Sequence, residues 1–233
     1  MENVTKGKGA FFAVGVGPGD PELLTLKAIK TIESCGRIAV PKSGSGDNIA
    51  LKIAEAYLEG KDIIYCDMPM SKDKSLLDSY HEKSADDIAV FLERGEDVAF
   101  LTLGDPAIYS TVMYVHRKLK ARGYETFMVP GITSFCGAAA SLDVSLCERE
   151  EVLHIIPATF RGKTAEYEDD PRVLMKSGKS IMEIKDSLEG SGAMMVECAT
   201  MKNEKIYRDI SDLKEPSSYF SLVVVPGKGK ESK

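Results

Sequence analysis

The sequence predicts an α/β protein with two α/β domains, the first built on a mostly parallel five-stranded sheet with flanking helices and the second on a mixed sheet. Over residues 1–145, short apolar runs alternate with amphipathic stretches, as in successive β-α units. Over residues 146–233, apolar runs of strand length predominate and only residues 180–188 show a clear helical pattern. We therefore expect an N-terminal domain of residues 1–145 and a C-terminal domain of residues 146–233.

The N-terminal domain is expected to alternate five strands with five helices. The predicted strands are residues 11–16, 37–40, 62–66, 97–103 and 124–129. The predicted helices are residues 23–34, 48–58, 76–94, 110–122 and 132–142. The helical period is clearest in the first of these, where Leu24, Ala28 and Ile32 recur every fourth residue on one face. Gly95 and Gly123 are placed to end the third and fourth helices.

The C-terminal domain has five apolar runs that we interpret as strands: residues 152–156, 172–175, 193–198, 206–210 and 219–225. The polar stretch 160–171 is expected to be a loop, and residues 227–233 a frayed tail.

Composition excludes several classes of protein. At 43% hydrophobic and 28% charged residues, the 233-residue chain is typical of a globular protein rather than a disordered one. The net charge of −6 argues against nucleic-acid binding through bulk positive charge. No apolar run approaches the roughly 18 residues of a membrane span, and we expect a cytoplasmic protein that does not bind membranes. Five scattered cysteines without a C-x-x-C pair and three histidines predict no disulfide framework and no metal site.

The first apolar run is followed by a loop that only partly matches a dinucleotide fingerprint. Gly15 and Gly17 begin the G-x-G-x-x-G pattern, but Asp20 stands where the third glycine is required. The pattern therefore gives little support to NAD binding.

Three loops rich in glycine and proline follow predicted strands. They comprise residues 17–21, 104–106 and 129–135. Ligands of open α/β sheets bind beyond the carboxyl ends of the strands, so all three loops are expected to face one crevice. Thr133 and Ser134 would expose hydroxyl and N–H groups at a helix N-terminus, where acceptor-rich ligands bind. The alternative is that these loops are merely tight turns with capped helices.

Residues 15–28 (GVGPGDPELLTLKA), 103–106 (LGDP) and 130–134 (PGITS) together resemble the tetrapyrrole (corrin/porphyrin) methylase family. The resemblance extends over nearly the whole chain. Residues 101–111 (LTLGDPAIYST), followed by Met113 and Tyr114, are similar to the branch that methylates carbon 20 of precorrin-2 or cobalt-factor II. Residues 134–140 and 173–176 agree with that branch.

The resemblance implies S-adenosylmethionine bound in a cleft between the two domains, S-adenosylhomocysteine as product, and a homodimer in cobalamin biosynthesis. It implies the following cofactor contacts: Pro18, Leu103, Gly104, Asp105, Ile108, Thr133, Ser134, Met175 and Ala199. Several relatives have Asn-Gly where this chain has Cys198 and Ala199, so a contact at Ala199 would be made through the backbone.

Methylation of carbon 20 also requires a base that removes the proton of that carbon. The catalytic candidates are Asp105 and Tyr109, which lie nearest in sequence to the cofactor loop. The alternatives are that Asp105 only binds the cofactor and that Tyr109 only packs against the macrocycle. Basic side chains are available for the substrate carboxylates: Lys42, Arg117, Lys118, Arg161, Lys163, Lys176 and Lys179.

Three other functions stay open at this point. The first is a sister methylase that acts at another corrin carbon or on uroporphyrinogen III. The second is the branch of the superfamily that modifies diphthine or ribosomal RNA, which the acidic net charge disfavours. The third is a regulatory α/β module that binds a nucleotide without turnover.

Overall fold

The structure, a computed structural model, describes residues 7–42, 48–69, 71–158 and 167–228. It divides into two compact units, Met1–Thr133 and Ser134–Lys233. The sequence places the domain boundary after the predicted helix 132–142, whereas the division into compact units falls at the beginning of that helix. The domain boundary near residue 145 stays a prediction.

Within its described residues, the first unit has a parallel five-stranded sheet and four α-helices. Its strands are β1 (Phe11–Gly15), β2 (Arg37–Pro41), β3 (Asp62–Cys66), β4 (Val98–Thr102) and β5 (Thr126–Val129). Its helices are α1 (Leu26–Ser34), α2 (Ile49–Ala54), α3 (Lys74–Glu93) and α4 (Val112–Ala121). The strand order is β3-β2-β4-β1-β5, and every neighbouring pair is parallel. The predicted parallel sheet with flanking helices is confirmed.

Helices cover both faces of this sheet. On one face, Val14 and Leu101 pack against Ala28 and Ile32 of α1. On the other face, Phe11, Ala13 and Phe100 pack against apolar residues of α3 and α4. Because a parallel sheet is buried on both faces, its strands are apolar in nearly every position, which is what made them recognisable in the sequence.

The first helix begins later than the sequence predicts. Thr25 is its N-cap and accepts a hydrogen bond from the N–H of Ala28 through Oγ1 at 3.1 Å. The preceding Pro21–Leu23 forms a short 3-10 helix, in which the Asp20 carboxylate accepts the N–H of Glu22. The proline and the second cap therefore divide the predicted helix 23–34 into two elements.

The second unit contains a mixed five-stranded sheet. Its elements are α5 (Ser134–Leu142), β6 (His154–Pro157), β7 (Arg172–Met175), α6 (Ile181–Leu188), β8 (Met194–Glu197), β9 (Lys205–Tyr207) and β10 (Ser221–Val225). The strand order is β6-β7-β10-β8-β9, with β6 and β7 parallel and the other pairs antiparallel. Ile181 and Leu188 of α6 pack on Leu174, Met195 and Val223 of the sheet, and α5 contacts β8 and β10. The predicted mixed sheet is confirmed.

The fourth predicted strand of this unit, residues 206–210, is shorter than expected. β9 ends at Tyr207, and Asp209 then caps the short 3-10 helix Ile210–Asp212 by accepting the N–H of Ser211 at 2.8 Å. Most of the predicted loop 160–171 and of the predicted tail 227–233 lies outside the described residues. Within the described ranges, no helix is both long and apolar enough to cross a membrane.

Candidate functional site

Three loops follow the carboxyl ends of three adjacent strands. We name them the β1 loop (residues 16–20), the β4 loop (residues 103–111) and the β5 loop (residues 130–133). Since β1 lies between β4 and β5 and pairs with both in parallel, all three loops leave the sheet at the same edge. The three motifs singled out in the sequence are therefore brought together within the first unit.

The β1 loop and the β4 loop are joined by their backbones. The N–H of Gly104 donates to the carbonyl of Gly17 at 2.8 Å, and the N–H of Gly17 donates to that of Gly104 at 3.2 Å. Both residues have positive φ, 79° at Gly17 and 71° at Gly104, which other residues adopt only at a cost. This requirement explains the two glycines, and the buried Pro18 follows the bridge directly.

Glycine is also required where the β5 loop passes over the sheet edge. A Cβ on Gly131 would lie 2.2 Å from the carbonyl oxygen of Gly104, and one on Gly15 would lie 2.6 Å from the same oxygen. The backbones of the three loops are thus packed directly against each other. Sequence reasoning identified the glycines of the motifs but not this mutual contact, which depends on strands distant in the chain.

Asp105 binds two loops with its two carboxylate oxygens. Oδ1 accepts the N–H of Ala107 at 2.7 Å, and Oδ2 accepts the N–H of Gly131 at 3.0 Å. The side chain is partly buried and holds the β5 loop against the β4 loop. Each oxygen of an ionised carboxylate has a second lone pair, so both keep capacity for another donor.

The rest of the β4 loop is closed by a side-chain hydrogen bond and carries an exposed tyrosine. The hydroxyls of Thr102 and Ser110 are 2.7 Å apart at the two ends of the loop. Between them, the N–H of Ile108 donates to the carbonyl of Asp105 at 3.3 Å. Tyr109 has φ of 49°, a left-handed conformation that is rare for an aromatic residue, and its side chain is 46% exposed. The loop therefore holds the Tyr109 ring toward solvent by a strained backbone.

The β5 loop carries a buried hydroxyl without a partner. Thr133 Oγ1 has no hydrogen-bond partner among the described residues. In the same loop, the carbonyl of Pro130 accepts the hydroxyl of Thr25 at 3.3 Å, which ties the loop to the start of α1. An unpaired buried hydroxyl next to closely packed glycine backbones suits a ligand rich in polar groups, because such a ligand would satisfy it.

Two predicted contacts lie at one edge of the second sheet. Met175 ends β7 and Ala199 follows β8, while the antiparallel β10 begins between them, with Leu222 opposite Met175 and Ser221 opposite Glu197. Both Met175 and Ala199 are buried. Ser134 is the first residue of α5 in the same unit.

A cluster of serine hydroxyls lies beside Met175, and sequence reasoning missed it. The buried Ser177 and Ser221 hydroxyls are 2.6 Å apart, and Ser217 donates to Ser221 Oγ at 2.9 Å. The N–H of Gly178 also donates to Ser221 Oγ, at 3.1 Å. The members come from two segments that are far apart in the chain, residues 177–178 and 217–221, so no local sequence spacing marks the cluster. It fixes the chain that follows β7 to the start of β10.

The turn after β8, residues 198–204, contains two strained residues. Cys198 has φ of 54° and Thr200 has φ of 63°, and these two flank Ala199. The N–H of Cys198 donates to the carbonyl of Phe220 at 2.8 Å, and the side-chain amide of Asn203 donates to Cys198 Sγ at 3.4 Å. The Cys198 thiol therefore helps to hold the turn together by accepting a hydrogen bond from Asn203.

Three of the candidate basic residues have partners within the first unit. Lys42 pairs with Asp67 at 3.2 Å. Lys118 pairs with Asp78 and Glu82 at 2.7 Å each, which raises the pKa of its ammonium group. Arg117 stacks its guanidinium over the ring of Tyr114, 4.9 Å from the centroid. Arg161 and Lys163 lie outside the described residues. In the part of the chain that the structure describes, no group of three or more His, Cys, Asp or Glu side chains is arranged to hold a metal ion.

The chain matches known proteins over most of its length. The family model for tetrapyrrole (corrin/porphyrin) methylases matches residues 10–214. A relative from Methanocaldococcus jannaschii, named "Probable cobalt-precorrin-2 C(20)-methyltransferase", is 36% identical over 92% of this chain and 94% of its own. The precorrin-2 C(20)-methyltransferase of a Sinorhizobium species is 32% identical over 95% of this chain and 96% of its own.

Two further matches are shorter or limited to the fold. The uroporphyrinogen-III C-methyltransferase of Priestia megaterium is 32% identical but covers 61% of this chain and 56% of its own. A solved structure of a cobalt precorrin-4 methyltransferase superposes with a TM-score of 0.74 at 19% identity, over 93% of this chain and 94% of that one. The latter likeness concerns the fold alone.

Proposed function

Because the chain belongs to the tetrapyrrole (corrin/porphyrin) methylase family, we propose that it transfers a methyl group from S-adenosylmethionine to carbon 20 of precorrin-2 or cobalt-factor II in cobalamin biosynthesis. The observation that carries the proposal is the meeting of the β1, β4 and β5 loops at one sheet edge, with an unpaired buried hydroxyl beside them.

The choice of carbon 20 has separate support. The relatives named for that position match over more than nine-tenths of this chain, whereas the uroporphyrinogen-III enzyme matches about three-fifths. A sister methylase that acts at another carbon or on uroporphyrinogen III is the second candidate.

The proposed cofactor contacts of the first unit are Pro18, Leu103, Gly104, Asp105, Ile108 and Thr133. The glycines allow the three loop backbones to pack against each other, which brings these residues to one end of the sheet. The unpaired hydroxyl of Thr133 would gain a partner from a polar ligand, which favours binding since an unsatisfied buried group is costly. The proposed contacts of the second unit are Ser134, Met175 and Ala199, of which the last would act through its backbone.

When bound, S-adenosylmethionine supplies an electrophilic methyl group on a sulfonium. The protein contributes mainly by positioning, since well-oriented reactants recover about 7–11 kcal/mol of the barrier. The new C–C bond forms at carbon 20 as the S–C bond breaks, and the proton of carbon 20 must then leave to a base.

Asp105 and Tyr109 are the proposed proton acceptors. Asp105 holds the β4 and β5 loops with both oxygens but keeps a lone pair on each. Tyr109 is 46% exposed and has a strained backbone conformation. A strained conformation at a predicted site is a reason to test it for function.

The experiment is incubation of the whole protein with methyl-labelled S-adenosylmethionine and either precorrin-2 or cobalt-factor II, followed by NMR of the product. A methyl group at carbon 20 supports the proposal, and the substrate that reacts identifies whether cobalt is present. A methyl group at another carbon favours the sister methylase. Binding of S-adenosylhomocysteine without turnover of either substrate favours a regulatory module.

The base is tested separately. Tyr109→Phe removes the hydroxyl and keeps the ring, so we expect kcat to fall by about 10²-fold or more if the phenolate form of Tyr109 accepts the proton. An unchanged kcat would leave Tyr109 as a packing residue. The homodimer and the cytoplasmic location expected from the sequence are part of the proposal, and sedimentation of the purified protein tests the dimer.

A further inference from the structure

Glu204 joins two parts of the second unit through one carboxylate oxygen. Its Oε1 accepts the backbone N–H of Thr200 at 2.5 Å and the hydroxyl of Ser141 at 2.7 Å. Thr200 belongs to the turn after β8, and Ser141 belongs to α5. The side chain is partly buried, so the hydrogen bonds are only partly exposed to competition from water.

The turn needs such support because it is strained. A left-handed conformation is unfavourable for a residue with a Cβ and most unfavourable for a β-branched residue such as Thr200. Glu204 accepts its hydrogen bond from the backbone N–H of this strained residue. Strained conformations persist only where the surrounding structure holds them. Glu204 therefore stabilises the backbone next to Ala199 directly.

Arg208, the residue after β9, also binds α5, through a hydrogen bond that does not involve the turn 198–204. Arg208 Nη1 donates to the carbonyl of Leu142, the last residue of α5, at 2.9 Å. Glu204 and Arg208 each make a hydrogen bond to α5 with a charged side chain, but the two residues differ in one respect. Glu204 contacts the turn that contains Ala199, and the hydrogen bond of Arg208 does not.

We propose that Glu204 is a positioning residue for the cofactor: it fixes the Ala199 backbone relative to α5, the helix that begins with Ser134. This inference rests on the proposed function, because Ala199 and Ser134 are cofactor contacts only if the protein binds S-adenosylmethionine as proposed. Glu204 itself need not touch the cofactor.

The experiment compares Glu204→Ala with the matched control Arg208→Ala in the full-length protein. Both variants lose a charged side chain and one tie to α5. S-adenosylhomocysteine binding is measured by calorimetry, and KM for S-adenosylmethionine and kcat are measured with the substrate that the wild type methylates. We expect Glu204→Ala to raise the dissociation constant and KM about tenfold, as for loss of a hydrogen bond to a charged group, with a smaller change in kcat. Arg208→Ala is expected to stay within about twofold of the wild type.

Glu204→Gln is the conservative variant. Its side-chain carbonyl can accept from both Thr200 and Ser141, so it should restore most of the affinity that alanine loses. If Glu204→Ala does not fold, Ser141→Ala and Glu204→Gln provide the same readout, with Ser141→Ala weakening binding and Glu204→Gln retaining it.

Equal losses of affinity in Glu204→Ala and Arg208→Ala would overturn the inference, because a general loss of stability would then explain both. Wild-type affinity in Glu204→Ala would overturn it as well, while leaving the proposed function intact. A wild-type protein that does not bind S-adenosylhomocysteine would overturn the proposed function and this inference together.

Discussion

The carboxylate of Asp105 accepts the backbone N–H of Gly131 across 3.0 Å, and so one side chain connects the loops after β4 and β5, two strands that do not pair with each other. The strand between them, β1, supplies Gly15, whose backbone lies against Gly131 and Gly104. Asp105 thus has a structural role that does not depend on any ligand. Removing it should loosen the edge of the sheet even where no cofactor is present.

Asp105→Asn is expected to lower the free energy of unfolding by about 2 kcal/mol. The side-chain NH₂ group that replaces one carboxylate oxygen would face a backbone N–H and could not accept its hydrogen bond. Urea unfolding of the ligand-free protein measures this. The control is Asp67→Asn, which loses an exposed ion pair with Lys42 and should cost less than about 1 kcal/mol. Equal stability of Asp105→Asn and the wild type would contradict the structural role.

Gly131→Ala tests the close packing of the three loops. Its Cβ would meet the Gly104 carbonyl at 2.2 Å, so the loops must separate, and we expect a loss of at least about 2 kcal/mol in the free energy of unfolding. Gly36→Ala is the control, because a Cβ there meets nothing within 4 Å. That variant should differ from the wild type by about 0.5 kcal/mol or less. Similar values for both variants would mean that the loops tolerate a side chain.

Thr25→Ala tests the link between α1 and the β5 loop. Thr25 Oγ1 accepts the N–H of Ala28 and donates to the carbonyl of Pro130. Loss of an N-cap typically costs about 1 kcal/mol, and the second hydrogen bond should raise the cost to about 2 kcal/mol. Thr25→Ser keeps the hydroxyl and should recover most of this difference in thermal or urea unfolding. An equally large loss in the serine variant would point to packing of the methyl group instead.

The pH dependence of stability should reflect two buried histidines. Burial lowers the pKa of both His81 and His116 below the ordinary value of 6.5, because their charged forms are poorly solvated. Above that value both are neutral in the folded and unfolded states. As the pH falls below 6.5, the unfolded chain takes up protons first, so the free energy of unfolding decreases by at most about 1.4 kcal/mol per pH unit for each histidine.

His116→Phe isolates one of these contributions. The His116 ring already lies edge-on to Phe11, and its Nδ1 has no hydrogen-bond partner among the described residues, so an apolar ring suits the site. We expect a flatter pH profile in urea unfolding between about pH 7 and pH 5, where His116 of the unfolded wild-type chain takes up its proton while the folded protein resists protonation. A profile parallel to that of the wild type would show that His116 does not contribute in this range.

Much of the fold was predictable because buried strands in a parallel sheet are apolar at nearly every position. The five strands of the first unit were recognised for this reason, and Gly95 was correctly placed beyond the end of α3. The three loops were also recognisable, since each follows such a strand directly. Helix starts were less predictable. Leu23 and Leu24 continue the apolar period of α1, but Pro21 and the Thr25 cap decide where that helix begins.

The contacts within the site could not be predicted, because they join residues that are far apart in the chain. Nothing near Asp105 in the sequence indicates that its carboxylate accepts an N–H from Gly131. Nothing near Ser177 indicates a hydroxyl partner at Ser221. No motif in the sequence marks Glu204 either. It meets Ser141 only because the chain after β8 turns toward α5.

The position of β1 in the sheet has a consequence for biosynthesis of the chain. Phe11 is aligned with Val98 of β4 and Thr126 of β5, and β1 has no strand partner earlier than these. During translation β1 therefore has no hydrogen-bond partners until β4 has left the ribosome, when most of the first unit has been synthesised. An apolar segment without its strand partners is prone to aggregate in that interval.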